Sequence, residues 1–254
     1  MNRYNNAAGA ICRTALRYLV RATNNLAVVI FVLAIPTFLV TSNVRLAFDS
    51  LSLYRYGFER YDVVQTTGLD IGQLMVVAQD IRDYFYSSQD LLDVKVYIGL
   101  EQRNLFNQGE ILHMKDVKKL VMLVHRVQEL TMVYMAFYVA LALLITKGRS
   151  ADVVLGRVMK GSLVTVAIFV LAGLASLVGF DQIFDQFHVI SFTSGTYTFD
   201  PRYNYLTRLF TEGFFMQATL FIAISVVVQA ALLALIAWAF RKLVLNIGSR
   251  LQTA

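Results

Sequence analysis

Four stretches of this chain are long and apolar enough that water cannot be their natural solvent. Leu26 to Val44, Ser162 to Phe180 and Phe214 to Phe240 each supply the roughly 20 mostly apolar residues that a helix needs to cross a bilayer. Leu130 to Thr146 is slightly short, and it gains length from the amphipathic segment before it, which sets the second span at about 121–146. In hydrocarbon an unpaired backbone N–H or C=O finds no water, so each stretch is read as a helix. The expected fold is an all-α polytopic membrane protein with four transmembrane helices and a partly helical extracytoplasmic loop region. The whole of 1–254 is read as a single membrane domain. Composition excludes the alternatives. Hydrophobic residues make up 57% and charged residues 16%, against about 45–50% and 25% in soluble domains. The low charge and 13% aromatic content exclude disorder. Cys12 is the only cysteine, so there is no disulfide scaffold.

Lys and Arg placement gives the orientation. The N-terminal arm, the short connection between the second and third spans, and the tail together carry eleven basic residues and one acid, Asp152, a net +10. The remaining 12 basic and 16 acidic residues fall on the other side, a net −4. Both termini are therefore expected in the cytoplasm, with exported loops at about 45–120 and 181–213. The excess of basic residues is this asymmetry summed over the chain, and no nucleic-acid partner is expected. The first apolar run is too long for a usual signal peptide and no small-x-small cleavage site closes it. Cys12 is read as a free thiol in a reducing compartment.

Between the spans, Tyr54, Tyr56, Phe58 and Tyr61 suit a membrane–water interface. A helix is expected from Asp70, which can cap it with Gln73 as its capping partner. Leu74, Val77, Ala78, Ile81 and Phe85 give that helix one apolar face. In the third span Ala172 with Ser176, and Ala175 with Gly179, permit close helix contact. Gln217, Ser225 and Gln229 can hydrogen-bond across helices, and Pro36 can kink the first span. No internal repeat supports a transporter.

The chemistry concentrates outside, where all three histidines lie. On a helix Glu110, His113 and Asp116 step by three, so either carboxylate can neighbour the imidazole. A carboxylate on one ring nitrogen fixes the tautomer and orients the other nitrogen as a general base. A capped helix start with surface charges explains the same spacing, and both readings stand at this point. His188 follows the third span by eight residues, which ties it to the outer surface near lipid ester depth. His125 lies about 120° around the helix from His113 and is read as a surface residue. His113 and His188 can meet only if the second span begins well before Leu130, or if 113–128 tilts. There is no Gly-x-Ser-x-Gly elbow and no His-Glu-x-x-His helix. Ser191, Thr193 and Ser194 are loop hydroxyls, and the histidine spacing matches no metal site. No cofactor is expected. The competing class is a non-enzymatic membrane scaffold or lipid-binding accessory protein.

Two segments carry a family resemblance. Phe106 to Lys118 resembles the FN-x-x-E-I-x-H-M-x-D-V-K block of bacterial, Lit-like lipoprotein intramolecular transacylases. Phe187, His188, Phe192, Asp200, Pro201, Leu209, Phe210, Glu212, Phe214 and Phe215 resemble their second block. The chain departs from that pattern at Ser194, Tyr197, Asn204 and Thr211. The resemblance implies a membrane-embedded acyltransferase acting on a diacylated lipoprotein among membrane lipids. The sn-2 acyl chain of a diacylglyceryl-cysteine would move to that cysteine's own α-amino group. His113 would be general base, oriented by Asp116 or Glu110, and His188 the acid or an oxyanion donor. Transfer would be direct, with no acyl-enzyme. Localisation would be the bacterial cell membrane, with the site on its extracytoplasmic face.

Overall fold

In the computed structural model, residues 2–148, 150–192 and 199–252 are described. The helices are α1 (Asn2–Asp49), α2 (Leu51–Arg60), α3 (Val63–Thr67), α4 (Ile71–Tyr86), α5 (Gln108–Ile145), α6 (Ala151–Ser191), α7 (Tyr205–Leu209) and α8 (Glu212–Gln252). Strands β1 (Lys95–Ile98) and β2 (Glu101–Asn104) form one antiparallel hairpin. Four helices, α1, α5, α6 and α8, are long and apolar enough to cross a membrane. The fold is all-α and polytopic, with short helices and a hairpin between the long ones.

The chain divides into two compact units. The first comprises Met1–Thr37, Thr131–Val166 and Ala230–Ala254. Its helices are apolar on the outside, with Leu33, Phe137, Leu144, Leu163 and Trp238 all exposed, as lipid solvation requires. Inside, α6 meets α1 at Gly161, where an added Cβ would lie 2.5 Å from Ile35 Cδ1 and 2.9 Å from the Val32 carbonyl. Ser162 and Thr165 are buried beside it. Their hydroxyls donate to the Val158 and Gly161 carbonyls at 3.0 and 2.8 Å, so neither hydroxyl is left unpaired in hydrocarbon. Close approach therefore falls some ten residues before the small pairs picked from sequence. The side chains of Cys12, Ala175 and Ser176 lie outside the described residues.

The second unit, Phe38–Leu130 and Ala167–Gln229, has a core like that of a soluble domain. At its centre is α4, whose Leu74, Val77, Ala78, Ile81 and Phe85 are buried as the sequence pattern predicts. Asp70 caps it, accepting from Gln73 N at 3.0 Å. Tyr54 and Phe58 do not line a membrane interface. They sit one helical turn apart on α2, so both enter this core, and Tyr56 on the opposite side stays exposed. Where α2 passes α8, Gly57 leaves room for the Phe214 ring. Gln229 makes the interhelical bond its position suggests, a reciprocal amide pair with Asn43 at 2.8 and 3.1 Å.

Lys118 is buried although it is charged. Its ammonium donates to the carbonyls of Ser87 (2.8 Å) and Gln89 (2.7 Å), just past the end of α4, and lies 4.2 Å over the Tyr84 ring. A cation belongs at a helix C-terminus, where unpaired carbonyls accumulate.

Gly161→Ala tests the α1–α6 contact. Because one of the obstructing atoms is backbone, the variant is expected to lose about 1–3 kcal/mol, the usual cost of overpacking. Thermal unfolding in detergent measures it.

Candidate active site

The site is built from the first two turns of α5 upward. Asn107 and Glu110 cap that helix reciprocally: Glu110 N donates to Asn107 Oδ1 at 3.1 Å, and Asn107 N donates to Glu110 Oε2 at 2.9 Å. The other carboxylate oxygen accepts from Leu206 N at 2.8 Å, at the start of α7. Glu110 is 1% exposed, and it ties two helix N-termini together. This position at helix starts complements the macrodipole, as Lys118 does at a helix end.

One turn along α5, the His113 ring packs against Phe192 (centroids 4.6 Å apart) and Phe199 (5.4 Å). Opposite it is His188, with ring centroids 6.4 Å apart and planes within 17°. Two helix extensions bring them together. α5 runs without interruption from Gln108 to Ile145. α6 does not end at Phe180; past a non-helical break at Gly179 it continues to Ser191 and carries His188 on a helical arm. Phe184 and Phe187 on that arm flank His188 at 4.3 and 5.5 Å, and Phe184 in turn packs on Phe215 of α8. The histidine pair is thus walled by aromatic rings.

His188 Nδ1 lies 2.8 Å from the carbonyl oxygen of Phe184. A carbonyl can only accept, so Nδ1 is the donor. In the neutral ring Nε2 then holds the lone pair and is the nitrogen that exchanges a proton.

The other sequence-predicted residues go elsewhere. Glu110 directs its oxygens to backbone amides. Asp116 pairs with Lys119 at 2.7 Å. His125 stacks on Tyr86 at 5.2 Å, away from the pair. Ser191 ends α6, while Thr193, Ser194 and Tyr197 lie outside the described residues. Among the described residues no three His, Cys, Asp or Glu side chains converge to hold a metal. Sequence reasoning missed the aromatic wall, whose signal was the run of Phe184, Phe187 and Phe192 around His188.

Phe199 is held by the turn that follows it. Asp200 accepts from the Arg202 backbone N–H at 2.9 Å and from its guanidinium at 2.6–3.0 Å, while Asn204 N donates to the Asp200 carbonyl. Asn204 thus serves the turn through its backbone as well as its side chain, which accepts from Asp200 N at 3.1 Å. The Arg202 guanidinium holds the Asp200 carboxyl below the usual carboxylate range.

The fold is that of a helical integral membrane protein, and two histidines face one another in its second unit. The model of the family "Lipoprotein intramolecular transacylase Lit" matches residues 29–215, and the chain belongs to that family. Its fold is similar to solved structures of the lipoprotein intramolecular transacylase Lit from Bacillus cereus. One, carrying a histidine-to-alanine substitution, is 15% identical with a TM-score of 0.70, covering 92% of this chain and 98% of its own. A second, carrying a histidine-to-arginine substitution, is 14% identical with a TM-score of 0.69, covering 93% and 98%. A third is 16% identical with a TM-score of 0.70, covering 90% and 99%. No curated protein matches the sequence at a significant level.

Two variants test how the site is held. Glu110→Ala leaves the buried Leu206 amide unpaired, at about 1–3 kcal/mol, and also removes the reciprocal cap at the more exposed Asn107. Thermal unfolding should show that loss, with Glu110→Gln recovering part of it through its one remaining acceptor oxygen. Asp200→Asn removes the charge from the turn. Because the folded-state pKa of Asp200 is depressed, its contribution is complete above the unfolded value of about 3.9 and is lost as pH falls through the lowered one. The variant should therefore unfold at lower temperature than the parent near pH 7, and the gap should close toward pH 2.

Proposed function

We propose that His113 and His188 carry out the acyl transfer that defines the family. In this reading the substrate is a diacylglyceryl-cysteine lipoprotein, and its sn-2 acyl chain moves to the cysteine's own α-amino group. The observation that supports it best is the convergence of two imidazoles, from segments far apart in sequence, inside one aromatic wall.

The α-amino group arrives as an ammonium and must lose a proton before it can attack. His113 takes that proton. The amine nitrogen then bonds to the sn-2 ester carbonyl carbon, giving a tetrahedral oxyanion. Collapse breaks the bond from that carbon to the glycerol oxygen, protonated His188 gives that oxygen its proton from Nε2, and the nitrogen passes its second proton back to that Nε2 as the amide forms. The products are an amide and a free glycerol hydroxyl; of the two protons the nitrogen loses, one ends on the alcohol and the one taken by His113 is released to water. Both reacting groups belong to one substrate, so holding them in attack geometry can contribute about 7–11 kcal/mol. Positioned acid and base groups typically add about 10²–10⁴-fold. The phenylalanine rings restrict water, which favours transfer to nitrogen over hydrolysis of the ester.

Asp116 and Glu110 act on this chemistry by position. Glu110 fixes the start of the helix that carries His113 and the start of α7 after the Phe199 turn. Asp116, one turn beyond His113, places negative charge on the same helix face. The asymmetry of basic residues supports cytoplasmic termini and a site on the extracytoplasmic face of a bacterial membrane, with 45–120 and 181–213 exported.

His113→Ala and His188→Ala are each expected to lower the transacylation rate at least about 100-fold, with thermal stability close to that of the parent. The assay follows the N-terminus of a diacylated lipopeptide by mass spectrometry with reconstituted protein. Full activity in either variant contradicts the assignment of that histidine.

A further inference from the structure

We infer that the outer edge of β2 is a docking strand for the polypeptide that follows the lipidated cysteine of the substrate. This inference rests on the reading of the chain as a lipoprotein transacylase.

The register carries the argument. β1 and β2 pair Lys95 with Asn104, Val96 with Arg103, Tyr97 with Gln102 and Ile98 with Glu101. Leu105 N donates to the Val94 carbonyl at 2.9 Å, so Val94 and Leu105 form a hydrogen-bonded pair. Antiparallel pairs alternate between bonded and non-bonded, which makes 96–103 and 98–101 bonded and 95–104 and 97–102 non-bonded. Residues of a non-bonded pair point their N–H and C=O away from the partner strand. On β1 this is what happens: Tyr97 N donates outward to Gln73 Oε1 at 2.8 Å, docking that edge on α4. By the same alternation Gln102 and Asn104 present two N–H and two C=O groups on the opposite edge. Among the described residues no hydrogen bond takes them, and every residue of β2 is exposed.

Protected edges usually carry charge, proline or a bulge. Here Glu101 and Arg103 pair with one another, which leaves no net charge on the edge, and β2 contains no proline. The hairpin turns at Gly99 (φ +65°) and Leu100, a tight two-residue connection that keeps β2 straight and in register.

The place of β2 identifies its occupant. β2 leads through Leu105 and Phe106 into the Asn107 cap of α5, and His113 follows in the second turn. Phe199, which touches the His113 ring, also lies 3.8 Å from where a Cβ of Gly109 would be. The edge strand therefore ends beside the residues that wall the histidines. In the proposed reaction the cysteine nitrogen becomes the amide, so the substrate polypeptide leaves through the cysteine carbonyl as one extended chain. About five extended residues span roughly 16 Å, enough to reach from His113 past the start of α5. Strand addition reads backbone groups, so it accepts different sequences after the cysteine.

The test compares two synthetic diacylglyceryl lipopeptides, one ending about two residues after the cysteine and one carrying about twelve. The enzyme is the full chain in lipid nanodiscs, and the variants are Gln102→Pro and Asn104→Pro. Each removes one outward N–H and leaves the β1–β2 bonds, which run through other residues. We expect KM for the long lipopeptide to rise several-fold up to about tenfold, as loss of one or two backbone hydrogen bonds implies. kcat, and both constants for the short lipopeptide, should stay within about twofold. A long lipopeptide N-methylated at the docking residues should lose the same factor with the parent enzyme and lose nothing further with the variants. An unchanged KM for the long substrate overturns the inference. So does an equal loss on both substrates, or an edge-to-edge dimer of this chain that the proline variants disperse. If the parent enzyme transfers no acyl chain on either substrate, the functional reading itself has failed.

Discussion

The histidine pair depends on a buried carboxylate that acts on the backbone of two helices. Glu110 satisfies the Asn107 amide at the start of α5 and the Leu206 amide at the start of α7 with one side chain. A helix N-terminus in a protein interior must find acceptors for its amides, and a fully buried charge must find donors. Each need meets the other here. The consequence is geometric: the helix that carries His113 and the segment that carries Phe199 are fixed at a common point. Lys118 applies the same logic at the opposite end of a helix, joining α5 to the segment after α4.

These two residues also show where sequence reading fails. Periodicity assigns charge to the outside of a helix, and α5 departs from that rule. The buried residues are Glu110, Met114, Lys118 and Val121. No hydropathy pattern reveals that a charge is buried because helix ends need it. The capping geometry of Asp70 was legible, because its partner lies three residues along the chain. Glu110 has one partner 96 positions away, and only the fold supplies it.

The spans themselves were plain, since 20 apolar residues have few alternatives to a lipid-embedded helix. Their ends were less so. Asp181, Gln182, Asp185 and Gln186 stop the apolar run but not the helix, so His188 rides on a helical arm rather than in a loop. Both histidines stood out in the sequence as candidates. Their meeting was conditional on helix geometry that hydropathy leaves undefined. The β1–β2 hairpin left a weak trace, the β-favouring Val96, Tyr97 and Ile98 before Gly99, in a stretch too short and too polar to stand out.

The proposed reaction moves one acyl chain within one molecule, at the His113–His188 pair. A crossover experiment tests it most directly. A lipopeptide with a deuterated sn-2 chain and a heavy-isotope peptide is mixed with its fully unlabelled counterpart, and the protein is added in nanodiscs. The account expects the deuterated chain in amide linkage on the heavy peptide alone, with a free glycerol hydroxyl on the same molecule. Deuterated chains on light peptide, or released as free fatty acid, would contradict it.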